Sequence, residues 1–189
     1  MSGAEATPLS DGSVRWGILA TGGIARAFTR DLLLHGHRVV AVGSRSADSA
    51  RAFGEELGIR KTHGSYDDLV GDPEVDVVYV ATPHNLHADN ALAALQQGKH
   101  VLVEKAFTVN AKQAVAVADA ARERKLVVLE AMWTRFLPHM RYVHSVLDGG
   151  RLGEVRSLHA DHTQRLPTDP RHRLNAIDLG GGALLDLGV

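Results

Sequence analysis

The sequence predicts an α/β protein, a doubly wound parallel sheet followed by the truncated start of a second α/β domain. Three observations carry that expectation. Short apolar runs alternate with longer segments of helical spacing from Val14 onward. The run "VDVVYVAT" is apolar at nearly every position, as a strand covered on both faces of a parallel sheet must be. A glycine turn stands between the first apolar run and the first helical segment, where such sheets bend from strand into helix.

Taken in order, "VRWGILA" is the first strand and "GIARAFTRDLLLHG" the helix after it. "HRVVAVGS" is the second strand, and "ADSARAFGEELG" a helix that Gly58 stops. Then come strand "VDVVYVAT", helix "NLHADNALAALQQG", strand "HVLVEKA", helix "NAKQAVAVADAARERK" and strand "LVVLEA". The sheet spans about residues 14–131, with right-handed crossovers expected throughout. After Pro138 the pattern changes to a helix around "RYVHSVLDGG", a strand-like "GEVRSLHADHTQ", the polar loop "RLPTDPRHR" and the closing "GGGALLDLGV", which opens as a helix or turn. We therefore expect a disordered tail at 1–13, a dinucleotide-type domain at 14–135 and the incomplete start of a second domain at 136–189.

A hydrophobic fraction of 44% with 23% charged residues suits a globular chain with a real core. With 21 basic and 22 acidic side chains, the net charge of -1 gives no electrostatic footprint for nucleic acid or an anionic membrane. The absence of cysteine excludes disulfides, thiolate metal sites and cysteine nucleophiles. The opening "MSGAEATPLSDGS" has neither a basic nor an apolar leader region, and no run is long and apolar enough to span a bilayer. A soluble, cytoplasmic protein with a small-molecule ligand is the expectation.

The glycine turn reads Ala20-Thr21-Gly22-Gly23-Ile24-Ala25, a G-x-G-x-x-G/A pattern with alanine in the first place. Gly22 would let backbone approach a pyrophosphate, and Ala25 would keep the helix close on the sheet. A ligand-free turn uses the same residues, but its place after the first strand favours a dinucleotide. Strand two ends in Gly43-Ser44-Arg45, where an acidic residue would hold a ribose 2′-hydroxyl. A hydroxyl and a guanidinium suit a 2′-phosphate instead, so NADP is favoured with NAD still open. The alternative is a solvated arginine paired with Asp48. Glu104-Lys105 stands at the carboxyl end of an apolar strand, where a lysine can exchange a proton with a substrate oxygen beside an orienting acid. A strand-end salt bridge is the competing reading.

Together "GILATGGIARAF", "ATPHNLHADNALAALQQGKHVLVEKAFTVN", "LEAMWTRFLP" and "GGGALLDLGV" resemble the glucose-fructose oxidoreductase/inositol dehydrogenase (Gfo/Idh/MocA) family, nearest its dihydrodiol dehydrogenase-like, sugar-oxidising branch. The resemblance runs from Val14 to Val189 and implies a nicotinamide-dependent oxidoreductase with a Rossmann domain. It gives Lys105 the catalytic role of the family's E-K-P lysine. It sets Thr82, Pro83, Asn85 and His87 along the cofactor, and Trp133 and Arg135 beside nicotinamide and substrate. It makes Asp186 a substrate-site residue, four positions before the family's active-site histidine or tyrosine, so the chain stops one residue before that position. A complete C-terminal domain would imply a homo-oligomer.

Ala106 stands where the family carries proline, which predicts a trans Lys105-Ala106 bond, because cis is costly outside X-Pro. His84-x-x-His87 and His159-x-Asp161-His162 lack accompanying ligands, and no metal site is expected. Without the resemblance, Trp133 and Phe136 would read as core aromatics. The leading function is an NADP-linked dehydrogenase or reductase acting on a secondary alcohol of a sugar, polyol or cyclic diol. The alternatives are a catalytically inactive cofactor-binding fragment or regulatory module and, more distantly, a site for the nucleoside of a methyl donor.

Overall fold

The computed structural model describes residues 14–188, and the expected tail at 1–13 lies outside them. Six apolar or short runs become parallel strands: β1 (Arg15–Leu19), β2 (Arg38–Gly43), β3 (Lys61–His63), β4 (Val77–Val80), β5 (His100–Val103) and β6 (Val128–Glu130). They stand in the order β3-β2-β1-β4-β5-β6, the doubly wound arrangement the sequence predicts. Alternation along the strands sorts side chains to two cores. Ile18, Val42 and Tyr79 pack with Ala25, Leu32 and Phe53 of α1 (Gly23–Leu34) and α2 (Ala47–Leu57). Leu19, Ala41, Val78 and Val80 pack on the other face. There they meet α3 (Tyr66–Val70), α4 (His87–Gln96) and α5 (Ala111–Arg124) through Leu69, Ala91, Leu95 and Val117.

Caps set the helix limits. Ser46, Ser65 and Asn110 accept from the N–H groups of Ser49, Asp68 and Gln113, closing the first turns of α2, α3 and α5. Gly58 ends α2 in the left-handed region at φ +73°, as its position predicts. Strand β3 and helix α3 escape sequence reading because Lys-Thr-His carries no apolar pattern and α3 is one turn and a half long.

Beyond β6, α6 (Pro138–Asp148) starts on its proline at the first helical position. The strand expected within 153–164 does not form: the segment is exposed coil, and no strand among the described residues pairs with it. The Lys105-Ala106 bond is cis, contrary to the trans expectation. Tertiary neighbours grip both sides of it: the Ala106 carbonyl stands 2.7 Å from His87 Nδ1, and the Phe107 N–H donates to Glu130 at 2.7 Å. The closing glycines lead into α7 (Ala183–Leu187). Among the described residues no helix is long and apolar enough to cross a membrane.

Candidate active site

Parallel strands bring their carboxyl ends to one edge of the sheet, and there β1, β2, β4 and β5 open onto a cleft of about 760 Å³. Ala20, Thr21, Gly22, Gly23 and Ile24 form one wall. Helix α1 follows Gly22 as its N-cap, with no side-chain cap bond and no acidic residue in its first turn, so the leading N–H groups at the cleft wall are uncompensated. A Cβ on Gly22 or Gly23 would meet no protein atom within 4 Å, which leaves their backbone open to a ligand. Ala20 turns the chain at φ +93°, the conformation usually given to glycine. Ala25 is fully buried against the sheet, as expected.

Ser44 and Arg45 line the same cleft at the end of β2. The Ser44 hydroxyl accepts from the Ser46 N–H, whereas the exposed Arg45 has no hydrogen-bond or ion-pair partner among the described residues. Asp48 does not take it: its carboxylate pairs with Arg51 at 2.6 Å. Two serines that sequence reading missed, Ser46 and Ser49, complete this end together with Tyr66 from α3.

After β4, Thr82, Pro83 and His84 line the cleft. Asn85 and His87, expected beside them, stand behind the wall. His87 is fully buried, with its ring nitrogens 2.7 Å from the Ala106 carbonyl and 2.8 Å from that of Thr82. Burial pushes its pKa below the usual value while the two carbonyls pull the other way, and the ring links the β4 and β5 ends. Asn85 carries a buried Oδ1 with no hydrogen-bond partner among the described residues.

At the end of β5 the Lys105 ammonium donates to Asp186 Oδ1 at 3.0 Å and to the Asp186 main-chain carbonyl. Its neighbour Glu104 is held elsewhere, accepting the Tyr79 hydroxyl at 2.5 Å. Burial, and then the Glu104 charge, raise the Tyr79 pKa far above the usual phenol, so Tyr79 stays the donor. Asp186 reaches Lys105 because Gly180 docks on the cleft wall: its carbonyl stands 2.9 Å from His84 Nδ1. At φ +74°, a Cβ on Gly180 would come within 2.8 Å of His84 Cβ and 2.9 Å of Val109 Cγ1. Trp133, 62% exposed, lines the cleft, whereas Arg135 in the same turn does not. Arg173, which the sequence offers only as part of a polar loop, also lines it.

Comparison with known proteins agrees with this architecture. The model of an oxidoreductase family with an NAD-binding Rossmann fold, GFO/IDH/MocA, matches residues 14–132. A GFO/IDH/MocA C-terminal domain matches 140–189. The chain is 44% identical to a D-xylose 1-dehydrogenase (NADP(+)) of Hypocrea jecorina, over 94% of this chain and 51% of that protein. It is 41% identical to a trans-1,2-dihydrobenzene-1,2-diol dehydrogenase of Macaca fascicularis, over 94% of this chain and 53% of that one. A 3-ketoreductase of Actinomadura kijaniata, solved with NADP and TDP-benzene, superposes with a TM-score of 0.83 at 37% identity, over 93% of this chain and 54% of that one. The chain thus spans about half the length of these relatives.

Proposed function

Since the chain belongs to the GFO/IDH/MocA oxidoreductase family, we propose that its cleft binds a nicotinamide dinucleotide, NADP in preference to NAD, and serves oxidation or reduction at a secondary alcohol of a sugar, polyol or cyclic diol. In this reading residues 14–135 are the dinucleotide domain and 136–189 the start of the substrate domain. The observation that carries it is one cleft holding three features: an open helix N-terminus, an unpaired Arg45, and a Lys105-Asp186 pair.

The residues present fit such a cofactor. The N–H groups at Gly22 and Gly23 take its diphosphate, and Ser44 with Arg45 takes a 2′-phosphate. The bound cofactor supplies the hydride acceptor or donor. Lys105 hydrogen-bonds the substrate oxygen and exchanges its proton, and Asp186 orients the ammonium toward it. Tyr79 keeps the Glu104 carboxylate from competing for that ammonium. Trp133 offers an apolar wall that sheds water on substrate entry.

Titration with NADPH, NADH and S-adenosylmethionine, followed by intrinsic tryptophan fluorescence, tests the cofactor assignment. Saturable NADPH binding is expected. Binding of the methyl donor alone would replace this reading with a different chemistry. Assays with D-xylose and a trans-dihydrodiol as hydride donors then separate the substrate classes.

A further inference from the structure

The cleft is lined by five charged side chains, and they do not balance. Lys105 is paired with Asp186, and Glu104 is committed to Tyr79. Arg45 and Arg173 are left, each without an ion pair or hydrogen-bond partner among the described residues. The two guanidinium groups come from different parts of the chain, Arg45 from the end of β2 and Arg173 from the segment that leads to α7. A single 2′-phosphate held at Ser44-Arg45 leaves the Arg173 guanidinium without a partner of its own.

The backbone of Arg173 is held on the protein. Its neighbour Leu174 is buried, and the Leu174 carbonyl accepts the Gly182 N–H at 2.8 Å. The Gly181 N–H donates to the Ala176 carbonyl at 2.9 Å, and a Cβ on Gly181 would meet the Arg173 carbonyl at 2.9 Å. The same segment is fastened to the cleft wall through Gly180 and His84. The nearby Asp169, which would neutralise a surface arginine, is engaged by Arg171 at 3.3 Å. A guanidinium on a fixed backbone, lining a cleft and lacking a carboxylate, is suited to bidentate capture of a phosphoryl group.

We propose that Arg173 is a second phosphoryl-binding residue of the cleft, closing on an anion from the C-terminal segment while Arg45 reads the 2′-phosphate. It rests on the nicotinamide reading of the cleft and extends it. The phosphoryl group belongs either to the cofactor diphosphate or to a phosphorylated substrate.

Arg173→Gln and Arg173→Lys, compared with the unaltered chain at low and moderate salt, test the assignment by calorimetry with four probes: NADPH, NADH, inorganic pyrophosphate and glucose 6-phosphate. If the group is the cofactor diphosphate, Arg173→Gln weakens NADPH and NADH alike, by about 10–100-fold, and pyrophosphate competes less well. Arg173→Lys recovers part of that loss, because a point charge replaces a fork. If the group belongs to the substrate, both dinucleotides keep their affinity and glucose 6-phosphate binds the NADPH-loaded protein more weakly in the variant. Unchanged binding of all four probes overturns the proposal, as does failure of the unaltered chain to bind any of them. If neither dinucleotide binds the unaltered chain but pyrophosphate does so through Arg173, the nicotinamide reading fails alone and the phosphoryl site stands. Circular dichroism melts of the variants confirm that the comparison is made on folded protein.

Discussion

Lys105 and Asp186, 81 positions apart in sequence, meet as an ammonium-carboxylate pair at 3.0 Å and thereby join the end of β5 to α7. With side chains 30% and 14% exposed, the pair is partly screened from water. In the proposed reaction the lysine moves the proton and the aspartate holds the ammonium in place. In a full-length relative that carries the same residues, the change equivalent to Lys105→Ala should therefore lower turnover by about 10²–10⁴-fold at nearly unchanged NADPH affinity. Asp186→Asn should lose less, because an amide oxygen still accepts from the ammonium. Steady-state kinetics beside fluorescence titration decide it, and an unaltered kcat in Lys105→Ala reduces the pair to a salt bridge.

Arg45 is exposed at the end of β2, next to Ser44, and has no partner among the described residues. Its removal takes a charge-assisted, two-pronged contact from a 2′-phosphate and nothing from a 2′-hydroxyl. Arg45→Ala should weaken NADPH by about 1.5–3 kcal/mol and leave NADH nearly unchanged. Equal weakening of both cofactors in calorimetry would remove the assignment. This signature differs from both outcomes at Arg173, where the two dinucleotides weaken alike or both keep their affinity.

Gly180 couples the C-terminal segment to the cleft wall after β4, and two constraints act on it together. Its φ of +74° disfavours an L side chain, and a methyl there would press on His84 and Val109. Gly180→Ala should cost about 1–3 kcal/mol of local docking free energy. The loss should appear as faster hydrogen exchange in Ala183–Leu187, with the protection of the sheet strands retained. Unchanged exchange in α7 would show that its position beside Lys105 does not depend on this close approach.

Much of this arrangement can be read in the chain. Short apolar runs alternating with helical segments, together with the glycine turn, predict the sheet and its ligand edge, and the ordered motifs pick out Lys105, Asp186 and Trp133. Elements of three to five residues, such as β3 and α3, are too short for any periodicity, so only the Ser65 cap marks α3. The geometry at Lys105-Ala106 is set by His87 and Glu130, 19 and 23 positions from the groups they contact, which local preference cannot anticipate. Arg173 sits in "RLPTDPRHR", where it reads as one more solvated cation until the fold brings it to the cleft. The strand expected at 153–164 fails for a related reason: its pattern is present, but no strand among the described residues pairs with it.

Asp72 gathers charges at the foot of the sheet. Its carboxylate is buried, which by itself resists ionisation, but it accepts from Lys61 Nζ and the Glu74 N–H at 2.9 Å each and stands 2.9 Å from His63 Nε2. These contacts outweigh burial and lower its pKa from 3.8 to about 2. A carboxyl whose folded pKa is depressed contributes stability above its unfolded pKa and loses it as pH falls through the folded value. The contribution is about 2 kcal/mol, complete above about pH 5, falling through pH 4 to 2 and gone near pH 1. Urea unfolding between pH 7 and 2.5 should show that decline, and Asp72→Asn should flatten it. A variant with the same acid slope would put the sensitivity elsewhere.

Ala20 occupies the first place of the glycine turn at φ +93°, with its N–H donating to the Gly43 carbonyl at 2.9 Å. An L residue in this region costs about 1–2 kcal/mol relative to a right-handed conformation. Glycine removes that cost and gives back about 0.4–1 kcal/mol through the greater freedom of its unfolded chain. Ala20→Gly should therefore stabilise the protein by about 0.5–1 kcal/mol, a rise of about 1–4 °C in Tm for a chain of this size. Ala20→Val should move the other way by a larger amount, because a β-branched side chain is poorly tolerated at positive φ. Differential scanning calorimetry of the two variants makes the test. A Tm that falls in Ala20→Gly, or that is kept in Ala20→Val, would mean that the turn adopts a different backbone in solution and that its likeness to a glycine fingerprint is one of sequence alone.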